Sequence, residues 1–406
     1  MQISSGRFRK SRSFPGAILL LASSGAWTFV PQAACAQTSA TAPATAIHQA
    51  FTEARANADR IGAELIARGI PGLAIAVAVD GKIVYAEGFG YADLEQRVSA
   101  WPTTKFRIGS ISKPLTAAAM MKLVEAGKFD LDAPIQKYVP SFPDKGVLIT
   151  PRLVAGHLAG IRNYRGDEFF IQRHYDNVLD GLKIFENDPL IAPPGTEFSY
   201  SSYGFNLLSA AVESACGEPF LACMQDLVFT PLNLRDTTAD QNRRIIEHRT
   251  RFYTREKDGA IENSPYVDNS YKWAGGGFLS TSEDVVRFGS ALLEPGFLKS
   301  DSLKLLFTSQ KTSAGKETGY GIGWFVHKSA SGQAIYEHAG GSVGGSCQLI
   351  IYPESRVVVG LLTNLGENLW KIEDVEAIAE PFAKKIRGAT RYCESRPSAA
   401  LLKAPL

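Results

Sequence analysis

The stretch FRIGSISKPLT, residues 106–116, carries the pattern S-x-x-K at the point where a strand-like segment gives way to a helix. Apolar residues recur at helical spacing through SKPLTAAAMMKLVEAGK, which predicts a helix ending near Gly127. Backbone N–H groups at a helix start favour negative charge and would stabilise an oxyanion formed at Ser110. Lys113 lies one turn further on the same face, where a neutral amine can accept the serine proton. The pattern indicates a nucleophile and its base, although a helix cap followed by an exposed lysine would have the same spacing.

Two other serines imitate a nucleophile. Ser313 also precedes a lysine by three residues, but its surroundings, SQKTSAGKETG, are polar and predict a solvated loop. Ser342 lies in GGSVG, which fits the G-x-S-x-G elbow of many hydrolases. An elbow needs a helix after the serine and a histidine downstream, whereas strand-like SCQLIIYPESRVVVGLL follows and no histidine comes after His338. We therefore expect this glycine run to serve a nucleophile elsewhere, at Ser110.

A tyrosine is the third candidate group. PPGTEFSYSSYGFNLL puts Tyr200 in a turn just before a helix that starts near Tyr203. A tyrosine there can relay a proton between nucleophile and leaving group, while a core aromatic is the alternative interpretation. The segment YDN, residues 175–177, has a similar tyrosine motif, but it lies in a charged stretch, which predicts a surface position. His157 is expected to be a structural hydrogen-bonding group at a helix end.

Strand-like segments lie at both ends of the chain, with a mainly helical block between them. Asp80-Gly81 joins two of these segments and is a strong hairpin signal. The later strand-like segments are GYGIGWFV, QAIYEHA, SCQLIIYP and RVVVGLLTN. The pattern predicts an α+β fold: one antiparallel sheet flanked by helices at 47–68 and 370–386, with an inserted helical subdomain. The predicted divisions are a signal peptide (1–36), a flexible tether (37–46), a sheet subdomain (47–110 and 267–392), a helical subdomain (111–266) and a loose tail (393–406).

The N-terminus has the composition of a signal peptide. Four basic residues between Arg7 and Arg12 precede the apolar run PGAILLLASSGAWTFV, and AACA offers cleavage after Ala36. The run is shorter than the roughly 20 residues that cross a bilayer, so no membrane span is expected in the mature protein. We expect a secreted or periplasmic protein, with lipid attachment at Cys35 as the less favoured alternative.

Charge and cysteine content exclude several classes of partner. The chain has 43 basic and 41 acidic side chains, a net charge of +2, and loss of the four basic residues would leave it near −2. No long basic tract follows residue 40, so no nucleic-acid partner is expected. The histidines are scattered and no C-x-x-C pair occurs, which argues against a metal site. Cys216 and Cys223 flank a helix break, and either a disulfide or two packed thiols would fit there.

Several of these segments together carry a family resemblance. FRIGSISKPLT, PGTEFSYSSYGFNLL, AGGGFLSTSEDVVRFG, GYGIGW and HAGGSVGG occur in this order. In this the chain resembles the serine beta-lactamase and penicillin-binding-protein superfamily, in its class C-like branch. HLAGIRNY, FENDPL and PYVDNSYKWAGGGFLST make it closely similar to the mitochondrial beta-lactamase-like serine protease lineage. The resemblance runs from about residue 60 to 385 and implies the beta-lactamase/transpeptidase-like fold.

The resemblance also implies roles for named residues. Ser110 matches the acylated nucleophile, Lys113 its proton acceptor and Tyr200 the general base and acid partner. The backbone N–H groups of Ser110 and Gly341 would form the oxyanion hole. The implied substrate-binding positions are Ser202, His338 and Gly340.

Two departures from the family pattern bear on the substrate. Ser202 replaces the asparagine of the Y-x-N element and has no carboxamide to pair with a substrate amide. His338 replaces the lysine of the K-T-G element and is mostly neutral at pH 7 unless its pKa is raised. Both changes weaken recognition of a beta-lactam, so efficient penicillinase activity is not expected. Histidine at this position is familiar in peptidase and esterase relatives.

These observations predict an exported serine hydrolase that forms an acyl-serine intermediate on amide or peptide bonds. An esterase or weak beta-lactamase of the same fold is one alternative. A non-catalytic binding or self-assembling protein is another, and a homo-oligomer is compatible with either. The expected partner is a small-molecule or peptide substrate, selected by the loops at 162–187 and 235–262. No metal or organic cofactor is expected.

Overall fold

The computed structural model describes residues 51–329 and 332–394, with side-chain contacts up to Lys384. Its helices are α1 (Thr52–Ala67), α2 (Ser112–Glu125), α3 (Pro151–Ala155), α4 (Val178–Leu182), α5 (Ser202–Cys216), α6 (Phe220–Met224), α7 (Trp273–Gly276), α8 (Ser282–Ala291), α9 (Ser300–Leu306) and α10 (Ile372–Glu394). Its strands are β1 (Gly72–Val79), β2 (Lys82–Asp93), β3 (Val98–Ser99), β4 (Phe106–Arg107), β5 (Thr238–Ala239), β6 (Tyr253–Arg255), β7 (Ile261–Asn263), β8 (Phe278–Ser280), β9 (Phe325–Lys328), β10 (Ala334–Ser342), β11 (Gly345–Tyr352) and β12 (Val357–Thr363). The predicted signal peptide, the tether and the start of the first helix at Ile47 lie outside the described residues.

The largest sheet of the described residues has seven strands in the order β3-β2-β1-β12-β11-β10-β9, and every pairing is antiparallel. Strands from the two ends of the chain meet at its centre, where Leu73 of β1 pairs with Thr363 of β12. The hairpin predicted at Asp80-Gly81 is confirmed, because both residues have positive φ, 48° and 73°, as a type I′ turn requires. The predicted antiparallel sheet and α+β class are likewise confirmed.

The central strands are buried on both faces, and their side chains alternate between two cores. Leu73, Ile75 and Val77 of β1 belong to the core formed with α1 and α10. The intervening alanines of β1 belong to a larger core that includes α2, α5 and α8. This second core holds α2 with its first turns fully covered, which removes the start of that helix from water. The burial of α2 also removes Lys113 from water, and this lowers the pKa of its amine.

Helices are the main regular elements between β4 and β8, with β5, β6 and β7 as short strands among them. Helix α5 ends at Gly217, whose φ of 85° closes the helix as the sequence predicts. A disulfide joins Cys216 at the end of α5 to Cys223 in α6, with Cα atoms 6.3 Å apart. Of the two alternatives that the sequence left open, a disulfide or two packed thiols, the structure has the disulfide. The division of the chain at residues 110 and 266 stays a prediction.

The segment GYGIGWFV, predicted as a strand, is a strand only from Phe325 onward. Residues 319–324 instead form turns, with positive φ at Gly319 and Gly323. At Gly321 a Cβ atom would lie 2.0 Å from the Leu306 carbonyl oxygen, so the chain follows a path that requires glycine there. This path carries Tyr320 to a fully buried position.

The closing helix α10 starts two residues later than predicted and continues to Glu394, so the first residues of the predicted tail are helical. The rest of that tail lies outside the described residues. Among the described helices, none alone has both the length and the apolar character to cross a membrane. One pair of helical segments, Ser202–Cys216 and Phe220–Phe229, reaches that length and apolar character only when the two are counted together, and they are bent by 80° at their junction.

Candidate active site

Ser110 lies in a single 3₁₀ turn, Gly109–Ile111, that leads directly into α2. Gly109 has a φ of 47°, and a Cβ atom there would lie 2.6–2.8 Å from backbone atoms of Gly341. Only glycine allows this backbone conformation and this approach at little cost. The turn therefore brings Ser110, which is half-buried, beside strand β10.

Lys113 is completely buried, and its Nζ has three polar neighbours. It lies 2.9 Å from Ser110 Oγ, 3.1 Å from Ser202 Oγ and 2.7 Å from the Gly275 carbonyl oxygen. No carboxylate pairs with it among the described residues. Burial, and then the positive charge of Lys272, hold the pKa of Lys113 well below its ordinary value. This shift favours the neutral amine, which has a lone pair that can accept a proton.

Lys272 is a second buried lysine near this centre. Its Nζ lies 4.3 Å from the centre of the Phe169 ring, a cation–π distance. Burial, and then the charge of Arg107, lower the pKa of Lys272 to about 7, while Asp240 acts in the opposite direction. Around neutral pH it therefore carries a partial positive charge that acts on Lys113.

Tyr200 is half-buried and lies beside Lys113. Its ring centre lies 4.8 Å from Lys113 Nζ. It directly precedes the N-cap of α5, Ser201, whose hydroxyl accepts from the Gly204 N–H at 3.0 Å and donates to the Arg162 carbonyl at 2.7 Å. Burial raises the pKa of Tyr200 above its ordinary value, so the phenol keeps its proton. This favours Lys113 as the base and Tyr200 as a neutral proton donor.

His157 holds the turn around Tyr200. Its Nδ1 accepts a hydrogen bond from the Ser201 N–H at 3.2 Å, which leaves the ring proton on Nε2. The ring centres of His157 and Tyr200 are 4.3 Å apart. Burial, and then Lys113, keep the pKa of His157 well below its ordinary value. The expectation of a structural hydrogen-bonding role is confirmed.

His338 is buried and makes both of its hydrogen bonds within the protein. Its Nδ1 lies 2.7 Å from the Ala339 carbonyl oxygen, which can only accept, so Nδ1 carries the proton. Nε2 then accepts from the Tyr320 hydroxyl at 3.0 Å. Burial lowers the pKa of His338 to about 3, so the ring is neutral. Both ring nitrogens are engaged and the side chain faces inward, and the substrate-binding role of His338 stays a prediction.

Gly340 and Gly341 have different surroundings. A Cβ atom at Gly340 would lie 2.1 Å from the Ile108 carbonyl oxygen and 2.3 Å from Cys347 Sγ, whereas one at Gly341 would meet nothing within 4 Å. The glycine at 340 is needed for packing against the nucleophile segment, and its role in substrate binding stays a prediction. Gly341 borders open space next to Gly109. The role of the Gly341 N–H as an oxyanion-hole donor stays a prediction.

Ser202 is also buried, and its predicted contact with substrate stays a prediction. It is buried on the first turn of α5, and its hydroxyl contacts Lys113 instead of the open cleft. Ser342 is the last residue of β10 and is followed by a turn and β11, so the rejection of an elbow nucleophile is confirmed. Ser313 is exposed in a turn, also as predicted.

A family model described as "Beta-lactamase" matches residues 48–378 of the chain. The chain belongs to the beta-lactamase family. The serine beta-lactamase-like protein LACTB, mitochondrial, from Homo sapiens is 36% identical over 70% of this chain and 69% of its own length. Penicillin-binding protein 4* from Bacillus subtilis (strain 168) is 27% identical over 72% of this chain and 68% of its own. The resemblance to the superfamily and to the mitochondrial lineage is thus confirmed.

Solved structures share the beta-lactamase fold. The D-amino acid amidase from Ochrobactrum anthropi SV3 superimposes with a TM-score of 0.70, covering 84% of this chain and all of that one at 22% identity. At this identity the likeness concerns the fold alone. Membership of the beta-lactamase family makes the chain a serine beta-lactamase-like hydrolase by descent.

Two groups of this beta-lactamase-like site were not predicted from the sequence: the Gly275 carbonyl and Lys272. The structure has Gly275 in the short helix α7. Lys272 belongs to PYVDNSYKWAGGGFLST, which carried the family resemblance without a role for this lysine. The segment was recognisable in the sequence, but only the fold brings the charge of Lys272 close enough to act on Lys113.

Proposed function

We propose that this protein is a serine hydrolase that cleaves amide or peptide bonds through an acyl-Ser110 intermediate. The observation that carries the proposal is the contact of 2.9 Å between Lys113 Nζ and Ser110 Oγ, made by a fully buried lysine. A neutral amine at that distance is a competent base for a serine hydroxyl.

In the proposed acylation, Ser110 Oγ attacks the substrate carbonyl as its proton passes to Lys113. The oxyanion is stabilised by the backbone N–H groups of Ser110 and Gly341. When the tetrahedral adduct collapses, the leaving amine takes the Tyr200 hydroxyl proton, and Tyr200 regains a proton from the Lys113 ammonium. The lysine is then neutral again and can assist the water that hydrolyses the ester, releasing the acid and restoring the Ser110 hydroxyl.

The charges around the cleft favour substrates without a carboxylate next to the scissile bond. His338 is neutral, and the nearby basic side chains Lys113, Lys272 and Arg107 are all buried, at 0%, 2% and 5% exposure. A substrate carboxylate would lose its hydration without gaining a partner. This supports neutral amides and peptides over beta-lactams. The same features favour neutral esters, and an esterase is the second candidate function.

Labelling of the nucleophile tests the proposal. A fluorophosphonate probe should add one mass increment to the wild-type chain, and Ser110→Ala should abolish it. Ser313→Ala is the matched control, because Ser313 shares the S-x-x-K pattern but lies exposed in a turn.

Labelling that persists in Ser110→Ala would refute the assignment of Ser110 as the nucleophile. A folded wild type that no acylating probe labels would favour the non-catalytic binding protein. Among labelled proteins, a panel of peptides, D-amino-acid peptides, esters and nitrocefin separates peptidase from esterase.

Export through residues 1–36 is also part of the proposal, as is the possibility of a homo-oligomer. N-terminal sequencing of the protein recovered from its producing cell should find a chain that starts after Ala36. A chain that retains Met1 in its native compartment would contradict export. Sedimentation of the purified protein gives the assembly state directly.

A further inference from the structure

The two donors of the proposed oxyanion hole belong to different segments of the chain. Ser110 follows β4, whereas Gly341 lies near the end of β10. Residues Val343 and Gly344 form the turn that joins β10 to β11, which we call the β10–β11 turn. Pairing of β10 with β11 fixes Gly341 relative to Ser346 but not relative to Ser110. Contacts between the β4 segment and the β10 segment therefore determine the spacing of the two donors.

Arg107 connects these two segments. It is the last residue of β4, three positions before Ser110, and its Nη1 donates to the Val343 carbonyl oxygen at 2.7 Å. This bond is removed from water, because Arg107 and Val343 are both buried. A Cβ atom at Gly345 would lie 2.9 Å from the Arg107 carbonyl oxygen, so the end of the turn packs closely against β4. The guanidinium thus links the nucleophile segment to a residue two positions after Gly341.

A buried carboxylate holds the guanidinium from a second direction. Arg107 Nε lies 2.7 Å from Asp240 Oδ2, and Asp240 is itself buried. The same carboxylate oxygen accepts from Asn269 Nδ2 at 2.9 Å. The centre of the Phe252 ring lies 3.8 Å from Arg107 Cζ, which is a cation–π distance. With two nitrogens bonded and one face covered, the guanidinium has a fixed direction toward the Val343 carbonyl.

We infer that Arg107 is a positioning residue that holds the β10–β11 turn, and with it the Gly341 N–H, at the correct distance from Ser110. Arginine suits this role because one planar group donates to a carboxylate and to a carbonyl oxygen at the same time, whereas lysine has a single nitrogen. Arg107 acts through the backbone and touches no reacting atom. The inference rests on the proposed function, because it concerns how fast Ser110 is acylated.

The test is the saturation kinetics of acylation by a fluorophosphonate probe, which separate the limiting rate from the half-saturating concentration. Arg107→Lys keeps the positive charge beside Asp240 but cannot also hold the Val343 carbonyl. It should lower the limiting rate about tenfold, with less than a twofold change in half-saturation. The acidic limb of the pH–rate profile should stay in place, because the positive charge that acts on Lys272 is retained.

Lys105→Met is the matched control. Lys105 lies two residues before Arg107, and its Nζ binds Asp236 at 2.8 Å and the Glu247 carbonyl oxygen at 3.1 Å. The variant therefore breaks an ion pair and a bond to a backbone carbonyl on the same segment, but neither bond involves the β10–β11 turn. Its limiting rate should stay within twofold of wild type.

A double-mutant cycle distinguishes positioning of β10 from a general loss of structure. Gly340→Ala places a Cβ atom 2.1 Å from the Ile108 carbonyl oxygen and so displaces the same strand. In that background Arg107→Lys should lower the limiting rate less than twofold further. A wild-type rate in Arg107→Lys, an effect on half-saturation alone, a shifted acidic limb, or the same tenfold loss in both backgrounds would overturn the inference.

A second variant decides by the same rates if Arg107→Lys does not fold by thermal melting. Arg107→Met combined with Asp240→Asn removes both partners of the ion pair and leaves no buried carboxylate without its partner. Labelling of wild-type Ser110, together with a wild-type rate in the Arg107 variant, would overturn this inference and leave the proposed function standing. A wild-type protein that is not labelled at Ser110 would overturn the proposed function itself.

Discussion

Replacing Gly340 by alanine should damage catalysis by displacing strand β10 from the segment that carries the nucleophile. The new Cβ atom would lie 2.1 Å from the Ile108 carbonyl oxygen, and that carbonyl belongs to the backbone that leads into Ser110. Ordinary carbon–oxygen contact distances require strand β10 to withdraw by about 1 Å. The adjacent Gly341 would move with the strand, away from the serine whose oxyanion it is proposed to bind.

The size of the effect follows from this displacement. A misplacement of about 1 Å at a reacting centre costs on the order of 100-fold in rate. We therefore expect Gly340→Ala to slow fluorophosphonate acylation about 100-fold. Removing the second obstacle with Cys347→Ala should restore little of the rate, because the contact with the Ile108 backbone remains.

The matched control is Gly360→Ala, on the central strand β12. A Cβ atom there would meet Val286 Cγ1 at 3.2 Å and the Ser282 carbonyl oxygen at 3.3 Å. These contacts are more than 1 Å longer than the 2.1 Å contact at Gly340, and they lie away from the cleft. This variant should lose some stability and acylate at the wild-type rate. A folded Gly340→Ala that acylates within threefold of wild type would show that β10 and the nucleophile turn are not coupled as described.

Three further outcomes are expected. Lys272→Met removes a positive charge that lowers the pKa of Lys113, so the pKa of Lys113 should rise. Because only the neutral lysine is active as a base, the acidic limb of the pH–rate profile should move to higher pH. A limb that does not move would contradict the electrostatic coupling between the two lysines. Tyr200→Phe should slow acylation about 100-fold while leaving that limb in place, since the tyrosine keeps its proton throughout. Ser201→Ala removes the N-cap of α5 and should lower the free energy of unfolding by about 1 kcal/mol in urea titrations, with no change in the denaturant slope.

Local signals in the sequence were enough for much of the fold. The positive-φ pair at Asp80-Gly81 specifies its hairpin without help from the rest of the chain, and apolar spacing with a terminal glycine specified α2 and α5. GYGIGW was wrongly predicted as a strand because its other residues are apolar. Its glycines instead allow the backbone to pass close to α9, and this contact exists only in the folded chain. The disulfide depended on how far apart two helices lie, which spacing along the sequence does not determine.

The site was predictable in its residues and less so in its contacts. Ser110, Lys113 and Tyr200 come together as the family resemblance implied. The direction of His338 was not predictable, because it depends on the Tyr320 hydroxyl that the irregular 319–324 segment brings to it. The Gly275 carbonyl was equally hidden, since a backbone acceptor has no signature in a side-chain pattern. Sequence identifies which side chains can react, and packing decides which of them face the cleft.

The pairing of β1 with β12 has a consequence for how the protein is made. Leu73 leaves the ribosome long before its partner Thr363 is synthesised. The centre of the sheet therefore cannot form until β12 has emerged, and the apolar residues of β1 stay unpaired until then. A chain that stops before β12 would expose both cores, so we expect such truncated products to be insoluble or degraded.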